Sequence, residues 1–461
     1  MRIRRYDPDF SRRKFLADAA RGVLAGGVLM PLHAAIAADG DASKAYPAEL
    51  LSIDVYTKGK LKPGDTIDAS NVEHVKELLQ PITYEQILTQ GRKLKLKAAT
   101  TDVMKLSPWE YMEATVRNKG LASWDSTGNV VVQSNGQPWI GGNPFPDFKT
   151  GKDLMAAQTL GWGRQDNSLY VARLTALQPD GSIGYVYTGC WSTLQTTGRV
   201  AMAPMPYIDK WKEYLRYQTL FFLSPQDQRG TSFLNIWYYD QNKFPLLYGY
   251  LPQFRRVRQF PTTQRFEPLV PGVTLYLSDA WGAGDPMNTW GNFKIVSRGP
   301  FLAGLSDNWA WDNPNWEHKF HGGPQGKSFW DVTVELVPEA ICVECQPVRY
   351  PRAPIGKKRV WFDARTQALI SMVTYDRNDK PFRAYDGGAG LYEHGDQKVM
   401  DGKHPYYSWT SIMASDIQTR RVTRFEQVRE LEGYHSGAGQ PTEMLYDKYL
   451  TRAALYSLGA I

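Results

Sequence analysis

The sequence predicts an α+β fold in which a helical segment precedes one curved antiparallel β-sheet. Three observations predict it. Helix caps and helically spaced apolar residues are confined to about 64–119. Beyond about 125 the chain turns to short runs of Val, Ile, Thr, Tyr, Trp and Phe separated by turn residues, which is strand and hairpin composition. No fixed-period repeat or low-complexity tract interrupts them, so a single sheet is more economical than a chain of modules. With 42% hydrophobic and 22% charged residues over 461 positions, the chain can bury a core, which excludes a disordered tail, a coiled coil or a collagen-like rod.

Taken in order, residues 1–37 read as an export signal. Arg2, Arg4 and Arg5 lead to Ser11-Arg12-Arg13-Lys14-Phe15-Leu16, a Gly/Ala-rich run to Leu32, and Ala35-Ile36-Ala37 as a cleavage site. The paired arginines and the mild hydrophobicity match a twin-arginine leader, so the expected destination is the periplasm. This leader holds seven basic and three acidic residues, and removing it leaves 47 basic against 44 acidic, a net of +3. The basic balance of the whole chain therefore does not point to nucleic acid. No stretch reaches the roughly 18 consecutive apolar residues of a spanning helix, and no lipobox cysteine lies near Ala37.

Residues 38–124 are expected to form an N-terminal helical segment. Asp68 to Asn71 offer caps before the stripe Val72, Val75, Leu78 and Leu79, which Pro81 ends. Ser107-Pro108-Trp109-Glu110 opens a second helix. Residues 125–461 are expected to form the sheet domain. Leu169 to Ala176 and Ser182 to Thr188 flank the turn Gln178-Pro179-Asp180-Gly181, a hairpin signature. Arg359 to Asp363 and Ala368 to Tyr375 flank a second turn, and Asp376 to Asp379 a third. Segments 233–239 and 246–251 carry large side chains on both faces, so both faces must be covered, by protein or in part by a ligand.

Few motifs carry chemistry. The cluster from Trp309 through Trp311, Asp312, Trp316 and His318 to His321 reads as a loop covering the core with tryptophan, or as an aromatic ligand wall, or as a metal site on His318, His321 and Asp312, the last without a matching carboxylate motif. Cys342-Val-Glu-Cys345 has no following His and no second pair, which removes covalent haem and a four-cysteine zinc site. In a Pro-rich link within an oxidising compartment it is expected to be a local disulfide, leaving Cys190 unpaired. Gly322-Gly-Pro-Gln-Gly326-Lys327-Ser328 is one residue short of a phosphate loop and is read as a turn. Neither G-x-S-x-G nor H-E-x-x-H occurs. Arg255-Arg256-Val257-Arg258 is a basic segment that could meet lipid headgroups or an acidic partner, or simply end a strand in solvent. No catalytic residue, metal or cofactor is assigned.

Several stretches together carry a resemblance. Gly142-Asn-Pro144-Phe145-Pro146, Leu223-Ser224-Pro225 with Gly230, Tyr250-Leu251-Pro252 through Arg258, and Lys358-Arg-Val-Trp-Phe-Asp363 resemble the bacterial domain-of-unknown-function family 1329 over most of the chain after residue 37. The latter half is also similar to the fold of the outer-membrane lipoprotein carrier and receptor, LolA and LolB, an open half-barrel with helices packed on one face and acyl chains on the concave side. The irregular stretch Asp279 to Phe293 and the Cys342/Cys345 pair depart from the family pattern.

The resemblance implies a periplasmic carrier or binding protein for a lipid or other hydrophobic compound, serving transport between inner and outer membrane beside an inner-membrane exporter and an outer-membrane protein. Candidate wall residues, large and on expected strands, are Trp191, Trp237, Tyr239, Tyr248, Tyr250 and Trp361. A one-residue register error would swap their faces. The alternative is a periplasmic enzyme acting on an aromatic or steroid-like compound at 309–321.

Overall fold

Turn chemistry sets the hairpins. Gly181 takes φ of 80°, and the Asp180 carboxylate accepts from the Ser182 N–H at 2.9 Å, closing the loop between two long strands. The structure is a computed structural model that describes residue 43 and residues 46–261, 265–268, 270–279, 285–391, 393–394, 397–398 and 406–460. The leader expected over 1–37 and part of the irregular stretch after Asp279 lie outside them.

The longer helices are α1 (Pro81–Gln90), α2 (Trp109–Arg117), α3 (Gly151–Leu160), α4 (Thr442–Tyr449) and α5 (Arg452–Gly459). Among the described residues the main sheet has sixteen strands. They are β1 (Thr66–Ile67), β2 (Leu94–Lys97), β3 (Asn167–Leu177), β4 (Ile183–Gln195), β5 (Tyr214–Ser224), β6 (Ser232–Tyr238), β7 (Leu246–Leu251), β8 (Arg256–Phe260), β9 (Gly291–Ala303), β10 (Val332–Gln346), β11 (Ile355–Asp363), β12 (Leu369–Asp376), β13 (Pro381–Leu391), β14 (Tyr407–Asp416), β15 (Arg421–Val428) and β16 (Gly437–Ala438). The order across the sheet is β1-β2-β10-β11-β12-β13-β14-β15-β3-β4-β5-β6-β7-β8, with β9 added to β10 and β16 to β3. Sequential antiparallel neighbours dominate, as the meander reading expects. β2 is the exception and pairs parallel with β10, Leu94 opposite Val332 and Lys97 opposite Glu335. The sheet therefore crosses the boundary expected at 124/125, since two of its strands come from the segment read as helical.

Helix length shows that the sheet curls. Leu154 of α3 packs with Ile341, Val343 and Val360 of β10 and β11, while Ala156 and Leu160 pack with Leu215 and Trp237 of β5 and β6. A ten-residue helix spans about 15 Å. β10 and β6 are nine strand spacings apart, about 43 Å if the sheet were flat. Both ends can meet α3 only if the sheet wraps around it, so α3 marks the inner face. A capping box, Thr150 with Asp153, starts the helix there. The outer face carries α1, through Ile82 against Val373 and Ala384, and α4 and α5, through Leu445, Leu455 and Leu458 against Val171, Cys190 and Phe221.

Two expectations are corrected. The link after residue 337 is strand: β10 runs through Pro338, because β9 slips register between Gly299 and Phe301 opposite Ala340 and Val337, so that no ladder bond is required of the proline. The Cys342–Cys345 disulfide follows it out. Both are buried free thiols on one extended strand. Positions i and i+3 of a strand lie about 10 Å apart on opposite faces, beyond disulfide reach. Cys342 packs outward with Val337 and Trp361, Cys345 inward with Trp290 and Tyr350. Thiol titration of the unfolded, unreduced protein is expected to count all three cysteines free; a count of one would restore the bridge.

Candidate functional site

The register slips that admit Pro338 also build a groove. β9 shifts against β10 between Gly291 and Lys294, Ile295 and Ser297, and Gly299 and Phe301. Such bulges bend and twist a strand, and Pro300 is tolerated because β9 uses one edge for pairing. One result is that consecutive apolar residues, Ile295 and Val296, are 40% and 36% exposed. Between this strand and the Val72–Leu78 3-10 turn leading into α1 lies an open groove of about 660 Å³, within the range of ligand pockets.

Its floor is apolar. Trp361 of β11 lies against Phe301 of β9 with ring centroids 5.6 Å apart and planes at 27°, and Ala340, Cys342, Leu79, Pro81 and Pro300 complete it. Burial pushes the Cys342 thiol up to about 12, so it is a protonated, inert part of that floor at neutral pH. The rim is charged. Arg298 is paired with buried Glu339, whose pKa burial raises and Arg298 opposes, and Tyr46 donates to the same carboxylate at 3.3 Å. Arg359 donates to Glu344 at 2.9 Å and lies over Tyr375. Lys294 and Glu77 also line the groove. An apolar floor with a charged rim of both signs can bury a hydrocarbon chain and leave one polar end at the surface.

The six sequence candidates do not form one wall. Trp191 is on the inner face, its ring 6.1 Å from Trp162. Trp237 is 1% exposed beneath α3, donates from Nε1 to Gln218 at 2.9 Å and carries the Arg216 guanidinium over its ring. Tyr239 is buried and serves as a strut, donating to the Val130 carbonyl and accepting from the Trp139 N–H, both at 2.6 Å. Tyr248 and Tyr250 face outward under α5, the former below Arg452 and the latter edge-on to Tyr456. Trp361 lines the groove. The inner face expected to hold ligand is instead packed by α3 and by Val270, Val273 and Leu275.

Sequence reading missed β9. Its apolar pair Ile295-Val296 is a signal, but Asn292, Lys294 and Ser297 break the alternation that marks a strand, which is what bulges do to a pattern. The 309–321 segment is a core-covering loop: Trp309 and Trp316 are buried with Tyr170 and Tyr406, and the His318 ring is 5.5 Å from Trp330. Among the described residues no three His, Cys, Asp or Glu side chains are placed to hold a metal ion, and no helix is long and apolar enough to cross a membrane. The 322–328 segment is a turn, packed so tightly on the end of α1 that a Cβ at Gly322 would sit 2.1 Å from the Gly91 carbonyl oxygen.

A family model described as a protein of unknown function, DUF1329, matches residues 66–456. Among solved structures, a protein of that description from Desulfovibrio piger aligns at 13% identity over 66% of this chain and 97% of its own, with a TM-score of 0.43. A LolA superfamily protein from Nitrosomonas europaea aligns at 9% identity over 65% of this chain and 98% of its own, with a TM-score of 0.36. Comparison with curated proteins gives no match.

Proposed function

Because the chain belongs to the DUF1329 family, proteins of unknown function, its role has to be argued from its own geometry, and we propose that it is a periplasmic carrier or binding protein for a hydrophobic ligand, held in the groove between β9 and α1. The observation that carries this reading is an open groove floored by Trp361, Phe301, Ala340, Leu79 and Pro300 beside the bulged strand β9, since isolated apolar side chains are common on surfaces whereas an apolar trough with a charged rim is not. A lipid or other apolar compound needs no directional contact there. Each methylene moved from water into the groove contributes about 0.8 kcal/mol, a factor of about four in affinity. The leader at 1–37 would deliver the folded chain to the periplasm by the twin-arginine route, and transport between the membranes would call for an inner-membrane exporter and an outer-membrane protein as partners.

The test is titration with fluorescent fatty acids of increasing length. Affinity is expected to rise by about four-fold per methylene and then level off when the chain fills the groove. Ser297→Trp, which fills the trough from a half-buried position on the bulged strand, is expected to weaken binding at least ten-fold, whereas Trp237→Phe on the inner face leaves it unchanged. Equal binding by wild type and Ser297→Trp would remove the groove from the argument; loss in Trp237→Phe alone would move the ligand to the inner face.

A further inference from the structure

We propose that the outer edge of the sheet at β8, which pairs with no further strand among the described residues, is, with the neighbouring end of α5, a docking surface for the anionic headgroup layer of a phospholipid membrane. β8 is the terminal strand, bonded to β7 along one side, with Val257 opposite Tyr250 and Phe260 opposite Leu247. Around it lie four exposed arginines. Arg255, in the left-handed turn before the strand at φ of 48°, stands beside Arg256 and Arg258 of β8, and Arg452 begins α5. None of the four has a carboxylate partner among the described residues. The sequence explains why: no Asp or Glu occurs between residues 241 and 266, nor from 452 to the end.

Two exposed aromatics occupy the same edge. Phe254 is 47% exposed, with the Arg258 guanidinium 4.4 Å above its ring, and Tyr456 is 49% exposed, its hydroxyl accepting from the Val257 N–H at 3.3 Å. That contact holds α5 and β8 together, so the two chain segments present one patch. Its chemistry is doubly matched to a lipid surface: guanidinium groups for phosphate and aromatic side chains for the headgroup boundary. Addition of a protein strand is disfavoured, because charged side chains at alternate positions are how edge strands resist pairing. The patch lies at the opposite end of the strand order from β9 and its groove, and the inference does not depend on the ligand proposed for that groove.

The experiment is co-sedimentation of the mature chain with vesicles of phosphatidylcholine alone and of phosphatidylcholine with phosphatidylglycerol, at low and high salt. Binding to the anionic vesicles is expected, with loss at high salt and little binding to the neutral ones. Each arginine replaced is expected to weaken it about five-fold, so Arg255→Gln/Arg256→Gln/Arg258→Gln loses about 100-fold while its thermal unfolding and fatty-acid titration stay those of wild type. Phe254→Ser is expected to weaken binding without altering its salt dependence. Equal sedimentation on both vesicle types, or an unchanged triple variant, overturns the proposal. Tighter binding to soluble polyglutamate than to anionic vesicles also overturns it and gives the surface to an acidic protein.

Discussion

Arg365→Met is expected to lower the stability of the folded chain by about 3–5 kcal/mol, read as a fall in the denaturation midpoint. Arg365 lies in the turn between β11 and β12 and is 0% exposed. Each nitrogen of its guanidinium donates: Nε and Nη2 to the two oxygens of Asp363 at 3.0 and 2.8 Å and Nη1 to the Thr100 carbonyl at 2.7 Å, while Glu335 lies 3.8 Å away. Glu335 is itself 0% exposed, accepts from the Thr100 and Ser306 hydroxyls at 2.7 Å, and has its pKa raised by burial against the lowering pull of Arg365. Removing the cation strands two carboxylates in a low-dielectric interior, and that penalty, more than the lost attraction, is the source of the cost. Arg365→Lys is expected to recover only part, because an ammonium cannot make the paired contact with Asp363. Adding Asp363→Asn and Glu335→Gln to Arg365→Met is expected to recover more, since neither of the two stranded carboxylates then remains. A midpoint shift equivalent to less than 1 kcal/mol for Arg365→Met would show that the network is not a fixed part of the fold.

Acidification from pH 6.5 to 4 is expected to remove about 3 kcal/mol through His318 alone. Its ring is buried against Trp330, Nε2 has no hydrogen-bond partner among the described residues, and burial pushes the pKa down to about 4 from the ordinary 6.5, with Asp312 opposing weakly. The folded pKa is depressed below the unfolded one. The unfolded chain therefore binds the extra proton between pH 6.5 and 4, and stability falls with falling pH at up to about 1.4 kcal/mol per unit. Below about 4 both states carry the proton and the slope ends. Glu426, which accepts from the His318 N–H at 3.1 Å, works in the opposite sense because burial raises its pKa. His321, lowered by burial, works in the same sense as His318. The measurement is therefore a difference: urea midpoints of wild type and His318→Gln across pH 4–8, where Glu426 and His321 are common to both. The variant is expected to lack most of the slope between pH 6.5 and 4, and parallel curves would place the His318 ring in water.

Much of the fold is legible in local chemistry. The turn at 178–181 and the one at 364–367, where Gln367 takes φ of 56°, are specified within four or five residues, and they fix two hairpins of the sheet. The stripe Val72, Val75 and Leu78 is buried as its spacing implies, although the turn that carries it is 3-10 and Pro81, expected as a stop, also starts α1. Less legible are the places where one strand departs from period two. Ile295 and Val296, Pro338, and the Cys342/Cys345 pair all sit on β9 and β10, whose register slips are a property of the pair and of neither sequence alone.

The candidate site divides in the same way. Large aromatics on strands were readable at Trp237, Tyr250 and Trp361, but one lies under α3, one under α5 and one in an open groove. By itself the sequence determined the α+β class, the order of hairpins, and the composition that makes both sheet faces apolar, because these follow from turn residues and short-range periodicity. Only the tertiary structure decided which face is inner, which aromatics are struts and where a trough stays open. Those outcomes depend on contacts such as Leu154 with Val343 and Val360, far apart in the chain, and burial energy, being non-directional, does not encode in advance which of two apolar faces a helix will cover.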